Sequence, residues 1–465
     1  MHAMDAHGAV ISTAAPAGLR GTLTARFHAR RERDRQSGVA FLITISSLSL
    51  LIALVSQFTY GTTVDAAQAA NARDEVRAHY LARSAVSLSR LLIKIQTQFV
   101  EPIMQTAQQM LAKEAGQDLG ISLRVTDYVT PVLGFFAGSK METALLSGLI
   151  GIDTSEATGL GIPTGHMDAE ITNEDGKIDI NCGGGMAPNR SQQLKVFRLL
   201  QALMASPRYN WLFEQRNAEG QFVDRVELAR AIIDWADADE QAFAVDANSS
   251  GPEDYRYDQR DDPYQAHNNR YDTVEETNLV RGMDPDYAEA FASNFTVYAG
   301  NDKNQNCRVN LASVKGDCTP LIVGLVRAAL FPDPSKPPLD LSILDDNRLY
   351  PLASILCERS QAVGFGSLDA LIKVLSNPAA SIARDDPRYQ LMQNLTGITI
   401  TQKQLEDVAY VDVPRVYRVV ATGESGKVKK RIIVILDSKR TPDNPVTNNP
   451  LAEQASGVVQ YWREE

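Results

Sequence analysis

Residues 31–55 read RERDRQSGVAFLITISSLSLLIALV. A basic, polar run meets an apolar run at a single glycine, Gly38, and the reading of that junction decides the fold. From Val39 to Val55 there is no charged residue, a length at the short end of a bilayer-spanning helix. The Arg cluster ahead of it places the N-terminus in the cytoplasm and the remainder across the membrane, by the positive-inside bias. A secretory signal peptide is the competing reading, and the small residues of TTVDAAQAANA, 62–72, would supply its cleavage site.

Residues 61–100 carry no Pro and one Gly, and are rich in Ala, Leu, Arg and Gln, so one helix can continue out of the membrane as a stem. A helix of about 60 residues is roughly 90 Å long. The whole chain has 465 residues, 44% hydrophobic and 22% charged, enough for a large core and two or three domains. Its formal net charge is -11, with 46 Lys and Arg against 57 Asp and Glu, which argues against nonspecific nucleic-acid binding and is compatible with a cation site. The leader runs the other way: residues 1–38 hold six Arg against Asp5, Glu32 and Asp34.

Beyond the stem, HMDAEITNEDGKIDINC (166–182) alternates around Asp175 and Gly176 and predicts a hairpin. RVYRVVATGESGKVKKRIIVILD (415–437) predicts a second, and GVVQYWRE (457–464) a further strand. Between them QQLKVFRLLQALM, RVELARAIIDWA and SLDALIKVLS have helical apolar spacing. The expected fold is therefore α+β, with a long N-terminal transmembrane and stem helix packed on a small antiparallel sheet and a large inserted α-helical domain. The boundaries expected are a leader at 1–38, the membrane segment at 39–60 and the stem at 61–115. A β-domain follows from 116–185 and 397–465, interrupted by the helical domain at 186–396.

The stem with an apolar tip resembles the type II secretion pseudopilins. Precursors in that family are cut by prepilin peptidase directly after a glycine and methylated on the new N-terminus. The stretch QSG then VAFLITIS fits that pattern, with Gly38 the last leader residue and Val39 the first mature one. Most such subunits have Glu at the fifth mature position, whose carboxylate neutralises a neighbour's amino terminus inside an apolar filament core. This chain has Ile43 there, which suits a subunit at a filament end and resembles the minor pseudopilin K family (general secretion pathway protein K). AIIDWADADEQ (231–241), GPEDYRYD (251–258) and DPYQAHNNRYDTVEETNLVRGM (262–283) resemble that family's run of motifs in order and spacing. Where the family continues with Asn-Val-Asn-Thr, CRVNLAS (307–313) keeps only the second Asn, Asn310.

Between Asp234 and Glu276 there are thirteen Asp or Glu against Arg256, Arg260 and Arg270. Calcium takes six to eight oxygen ligands and tolerates irregular loops, so an oxygen-rich segment without clustered Cys suits it better than zinc, and better than magnesium with its strict octahedron. The spacing is not that of an EF-hand. A solvated acidic face is the plainer reading, and the resemblance, whose members carry calcium in this region, weighs against it. Candidate ligands are Glu253, Asp254, Asp258, Asp261, Asp262, Asp237 and Asp239, for a structural ion.

Cys182, Cys307, Cys318 and Cys357 fall in the part expected outside the cytoplasm, where an even count favours disulfides. Three connectivities are open; Cys307 with Cys318 encloses the shortest loop and would leave Cys182 with Cys357. GESGK (423–427) lacks the phosphate-loop spacing and reads as a turn. LVRGMDPDYAEAF (279–291) and QAVGFGSLDALIKVL (361–375) resemble helix-hairpin-helix units, which in so acidic a setting read as packing units. His2, His7, His28, His79, His166 and His267 are scattered, and no catalytic constellation is present, so the chain reads as a non-enzyme.

The resemblance implies an inner-membrane, single-pass subunit with a periplasmic C-terminal domain, capping the tip of a secretion pseudopilus. Its implied partners are the minor pseudopilins I and J, the major pseudopilin, prepilin peptidase, secreted substrates and the outer-membrane secretin, with no nucleic acid. Two rival classes stay open: a secreted calcium-dependent hydrolase, which would lose residues 39–60, and a type IV pilin-like DNA-uptake subunit, which would need a basic face.

Overall fold

The computed structural model describes residues 19–104, 106, 126, 129, 133, 165–217, 220–245, 251–253, 257, 263–298, 306–331, 345–362, 365–439 and 457–465, with side chains from Gly38 onward. The chain divides into two units, Met1–Arg73 and Asp74–Glu465.

In the first unit helix α1 (Leu19–Ile95) carries the junction without a break. Val39, Phe41, Leu42, Ile43, Leu50 and Leu54 are all exposed, so the segment is apolar on every side. Such a surface fits a helix that lies in lipid. The helical stretch Gly38–Met104 is long and apolar enough to cross a membrane.

In the second unit the same helix becomes one-sided. Ala78, Leu81, Ala82, Ala85, Val86, Leu92 and Ile93 are buried, at the helical spacing that marks one face. They pack on the four-stranded antiparallel sheet β1 (His166–Asn173), β6 (Val416–Ser425), β7 (Val428–Asp437) and β8 (Val458–Glu464), in that spatial order. Alternation supplies the other half of this core: Met167, Ala169 and Ile171 from β1, Tyr417, Val419 and Ala421 from β6, Ile432, Val434 and Leu436 from β7. The alanines let helix and sheet approach closely, and Gly423 lets them touch: a Cβ there would sit 2.1 Å from the Ala78 carbonyl oxygen.

Near its described end the stem widens into a π turn at Gln96–Val100, where the Glu101 N–H donates to the Gln96 carbonyl, five residues back, before the helix resumes to Met104. Pro102 explains it. Proline has no N–H to donate to the Gln98 carbonyl, and its ring crowds that oxygen, so the preceding turn widens. Of the expected stem, 107–115 lies outside the described residues.

β6 and β7 form the expected hairpin around Gly426 and Lys427, with Gly426 at φ 59° as a two-residue turn requires. The hairpin expected at 166–182 does not form. β1 pairs with β6, His166 opposite Glu424 and Asn173 opposite Tyr417. The chain then leaves the sheet, and β2 (Ile178–Asp179) pairs in parallel with β3 (Phe295–Thr296). Local contacts turn it. Gly176 lies against the Ser313 backbone, at 2.6 Å for an added Cβ, and the Asp175 carboxylate accepts from the Arg415 N–H (2.9 Å), the Val416 N–H (3.3 Å) and Asn310 Nδ2 (3.3 Å).

The inserted lobe draws its core from Ile178 to Ala409, wider than 186–396. Its framework is α2 (Arg190–Met204), α3 (Arg225–Ala236), α4 (Pro285–Phe291), α5 (Thr319–Leu330), α6 (Asp346–Ala362) and α7 (Leu368–Ser376). Asn189 caps α2 by accepting from the Ser191 and Gln192 N–H groups, and Asp224 caps α3 through Val226 and Glu227. Within the stretches 279–291 and 361–375, Tyr287, Phe291, Leu371 and Val374 are buried core residues.

Asn310, on β4 (Val309–Asn310), which pairs in parallel with β5 (Ala409–Tyr410), ties lobe to sheet. Its Nδ2 also donates to the Asp412 carbonyl (2.9 Å), and its Oδ1 accepts from the N–H groups of Asp412 (3.2 Å) and Ala312 (3.1 Å). Asn310→Ala is expected to cost about 2 kcal/mol, because buried partners lose their hydrogen bonds. Urea unfolding followed by tryptophan fluorescence measures it.

Candidate metal-binding lobe

The candidate site begins at the C-terminal end of α3. Helix α3 buries Leu228, Ile232 and Trp235 against the lobe, which carries Asp234 inward with them. Asp234 Oδ1 accepts from the Phe243 N–H at 2.6 Å. Asp237, just past the helix, is bridged to Gly185, whose N–H donates to the Ala236 carbonyl at 2.7 Å. Two described segments then meet: Ala242 N–H donates to the Gly251 carbonyl, and Gln241 is bridged to Pro252. That meeting sets the buried Glu253 carboxyl against Asp237.

Two carboxyl groups in one buried pocket need neutralising. Asp237 Oδ2 accepts from Gln193 Nε2 at 2.5 Å, and the Asp237 side chain also shares a hydrogen bond with Glu253. Burial pushes the Asp237 carboxyl up to about 7, with the charges of Asp239 and Asp234 adding to it. Burial likewise pushes Asp234 up to about 7, against the pull of the Phe243 N–H and of Arg281 and Arg230. Two buried carboxyl groups side by side are also the donor type that an oxygen-ligated cation takes. All four cysteines are engaged elsewhere, which leaves no thiolate for zinc.

Of the expected ligands, Asp237 and Glu253 come together. Asp239 is exposed and accepts from the Gln241 N–H at 2.9 Å. Asp254, Asp258, Asp261 and Asp262 lie outside the described residues. Among the described residues no three of His, Cys, Asp or Glu gather to hold a metal. His267 faces Glu276, 3.7 Å from Nδ1 to Oε2. Gly38, Val39 and Ile43 lie on α1, exposed.

Sequence reasoning missed the aromatic cluster that braces this loop. The Trp235 ring lies 5.8 Å from Tyr257, 6.2 Å from Tyr264, 6.1 Å from His267 and 6.4 Å from Tyr271. Tyr271 OH donates to the Ile232 carbonyl (2.8 Å), and its backbone is held by Asn181. Tyr257, Tyr264 and Tyr271 recur every seven residues, a signal available in the sequence. Gln193 carries none.

The disulfides correct the expected pairing. They join Cys182 to Cys307 and Cys318 to Cys357, each with a Cα–Cα distance of 5.6 Å. Cys307 precedes β4, beside the turn that follows β2, whereas Cys318 caps α5 and faces α6. Two cysteines with only ten residues between them thus belong to different layers of the lobe.

Residues 186–300, which hold α2, α3, the acidic loop, the aromatic cluster and α4, match the sequence model of the family described as type II secretion system (T2SS), protein K. This segment is similar to a protein K domain. Comparison with curated proteins gives no match. Among solved structures the chain is similar to one in the crystal structure of the GspK-GspI-GspJ complex from the enterotoxigenic Escherichia coli type 2 secretion system. Identity is 14%, the TM-score is 0.41, and the match covers 78% of this chain and 99% of that one. The matched segment contains Asp234, Asp237 and Glu253, and its C-terminal end reaches β3, the strand that meets the sheet junction.

Proposed function

We propose that the protein is the minor pseudopilin that caps the tip of a type II secretion pseudopilus. The observation that carries this reading is the protein K match on a chain whose N-terminal helix joins a basic leader, Gly38 and an all-round apolar segment. Prepilin peptidase cuts after Gly38, and Val39 becomes the methylated first residue. Ile43 offers no carboxylate to a neighbouring amino terminus, which suits a subunit at the end of the filament. The mature protein is held in the bacterial inner membrane by one helix, with the sheet and lobe in the periplasm. The minor pseudopilins I and J are its partners in the tip, and the major pseudopilin lies below them. The lobe meets secreted substrates and the outer-membrane secretin, and it binds no nucleic acid and catalyses no reaction.

Mass spectrometry of the N-terminus of protein purified from membranes tests the processing. A chain beginning at methylated Val39 is expected, and Gly38→Val is expected to leave the leader uncut. A start beyond residue 60 would sink the reading in favour of a secreted protein.

The acidic loop of the lobe holds a structural calcium ion, with Asp237 and Glu253 as its described ligands. When bound, the ion supplies positive charge that offsets these carboxylates. Gln193 orients Asp237, and the Trp235 cluster holds the loop that presents Glu253. Calcium at a hundredfold excess over its dissociation constant is expected to add about 2.7 kcal/mol of stability to the full chain. Thermal melts in calcium and in EDTA measure it, with Asp237→Ala expected to abolish the difference. Identical melts for the wild type in both would overturn the proposal.

A further inference from the structure

A groove of about 690 Å³ lies between the sheet and the lobe, and the function proposed above makes no use of it. One wall is β1 from Asp168 to Asn173, and the other is the lobe loop from Ser313 to Cys318, with Thr126, Val129 and Leu321 also lining the space. The walls meet where Gly176 lies against the Ser313 backbone. All six consecutive residues of β1 line the groove, which places the strand's backbone edge there. β1 is the last strand of its sheet: among the described residues only β6 pairs with it. The Glu174 N–H donates to the Val416 carbonyl (2.9 Å), so by antiparallel alternation Thr172 and Glu170 turn their backbone groups to β6, and Ile171 and Asn173 turn theirs to the open side.

An open strand edge is a template for pairing with another chain, and two details bound what this one can take. Further along β1 the Ala169 N–H is already taken by Asp168 Oδ1 at 2.8 Å, so the usable ladder begins at Ile171. Across the groove the Ser313 hydroxyl is buried and, among the described residues, has no hydrogen-bond partner. A buried hydroxyl in that state favours any ligand that supplies the missing partner. The charges around the groove do not select: Asp168, Glu170 and Asp317 stand against Lys177 and Lys315, and Lys177 is held by Glu174 at 3.2 Å.

We propose that this groove binds an extended, uncharged peptide segment of another protein, which adds to β1 as a further strand and is read through its main chain. The N–H and C=O groups of Ile171 and Asn173 repeat about every 6.7 Å, the two-residue repeat of an extended peptide. The volume is in the range of ligand pockets, roughly 300–1,000 Å³. A second copy of this chain cannot supply the strand through its own β1, which is recessed behind the lobe in that copy too. The occupant is therefore a terminus or a loop, a segment with both of its own edges free. The site is read from the sheet and lobe alone and does not depend on the function proposed above.

The test uses the full chain in phosphatidylcholine nanodiscs and two fluorescent pentapeptides of alternating Thr and Val, one unmodified and one N-methylated at every internal residue. Methylation keeps the side chains and removes the main-chain donors. Fluorescence anisotropy is expected to show the unmodified peptide binding at least tenfold tighter. Hydrogen exchange read by mass spectrometry is expected to slow at Ile171 and Asn173 when that peptide is bound. Ser313→Ala is expected to weaken binding about fivefold and to leave the melting temperature unchanged, because the hydroxyl it removes bonds to nothing in the fold. Equal binding of the two peptides overturns the proposal, since side chains alone would then be read. It is also overturned if the unmodified peptide fails to bind at millimolar concentration, or binds without slowing exchange at Ile171 and Asn173.

Discussion

Gly423→Val is expected to lower the stability of the sheet domain by about 3 kcal/mol or more. The reason is the identity of the atoms that a side chain would meet. A Cβ at 423 would lie 2.1 Å from the Ala78 carbonyl oxygen and 2.5 Å from the Ala82 nitrogen, both backbone atoms of the stem. A clash with a side chain is relieved by a rotamer change; a clash with helix backbone is relieved only by separating helix from sheet. Separation would open the contact in which Leu81, Val86 and Ile93 meet Met167, Val419 and Val434. Overpacking of a core costs typically 1–3 kcal/mol, and an unyielding neighbour places this site at the upper end. Trimming the stem does not help, because Ala82→Gly leaves its nitrogen in place. Gly251→Ala is the control: an added Cβ there meets nothing within 4 Å, so a change within about 0.5 kcal/mol is expected. Thermal unfolding followed by far-UV circular dichroism distinguishes them, and equal melting of both variants would refute the argument.

Much of this architecture is legible in local sequence, and the part that is not has a common physical cause. The apolar run after Gly38, the β6–β7 hairpin and the α2, α3 and α7 helices arise from hydrophobic period and from turn and cap residues within a few positions. The partner of β1 does not. Alternation in HMDAEITN says that one face is buried, but the strand it pairs with lies about 250 residues on, and nothing local names it. The disulfides fail to be read for the same reason. Loop entropy favours the ten-residue Cys307–Cys318 closure in an unfolded chain, while the folded positions are set by β4 and by the cap of α5. At the candidate site the carboxylates are visible as a charge run, and Asp237 with Glu253 emerges from it. Asp234 belongs to that run but does not stand out within it, because its burial depends on α3 facing inward. The seven-residue spacing of Tyr257, Tyr264 and Tyr271 is a usable signal that the surrounding charge obscures.

The junction between sheet and lobe gives the other large expected effect, and it is pH-dependent. Glu174 is fully buried where the chain leaves β1. Its Oε1 accepts from Arg418 Nε on β6 (2.5 Å) and from Lys177 Nζ (3.2 Å), and its Oε2 from Thr296 Oγ1 on β3 (2.6 Å). One carboxylate therefore joins the sheet, through Arg418, to the lobe, through Thr296. Burial alone would raise its pKa, but Lys177, Arg418 and Thr296 together outweigh burial and hold it below its ordinary 4.5. Removing one member of a buried ion pair costs on the order of 3–5 kcal/mol, so Glu174→Ala is expected to fall in that range near pH 7. Glu174→Gln can keep a hydrogen bond to Thr296 and should cost less; the gap between the two variants reports what that bond is worth. A carboxylate whose folded pKa is depressed contributes stability above its unfolded pKa and loses it as pH falls through the folded one. The difference between wild type and Glu174→Gln should accordingly be constant above about pH 5 and shrink as the pH drops below 4.5. Taking the difference matters because Asp175, next in sequence, is pushed the opposite way by burial, and a titration of the wild type alone would mix the two. Urea unfolding of both proteins from pH 3.5 to 7 measures it. A difference that does not change with pH would mean that Glu174 acts here through packing and hydrogen bonding, with its charge contributing nothing to the weld between sheet and lobe.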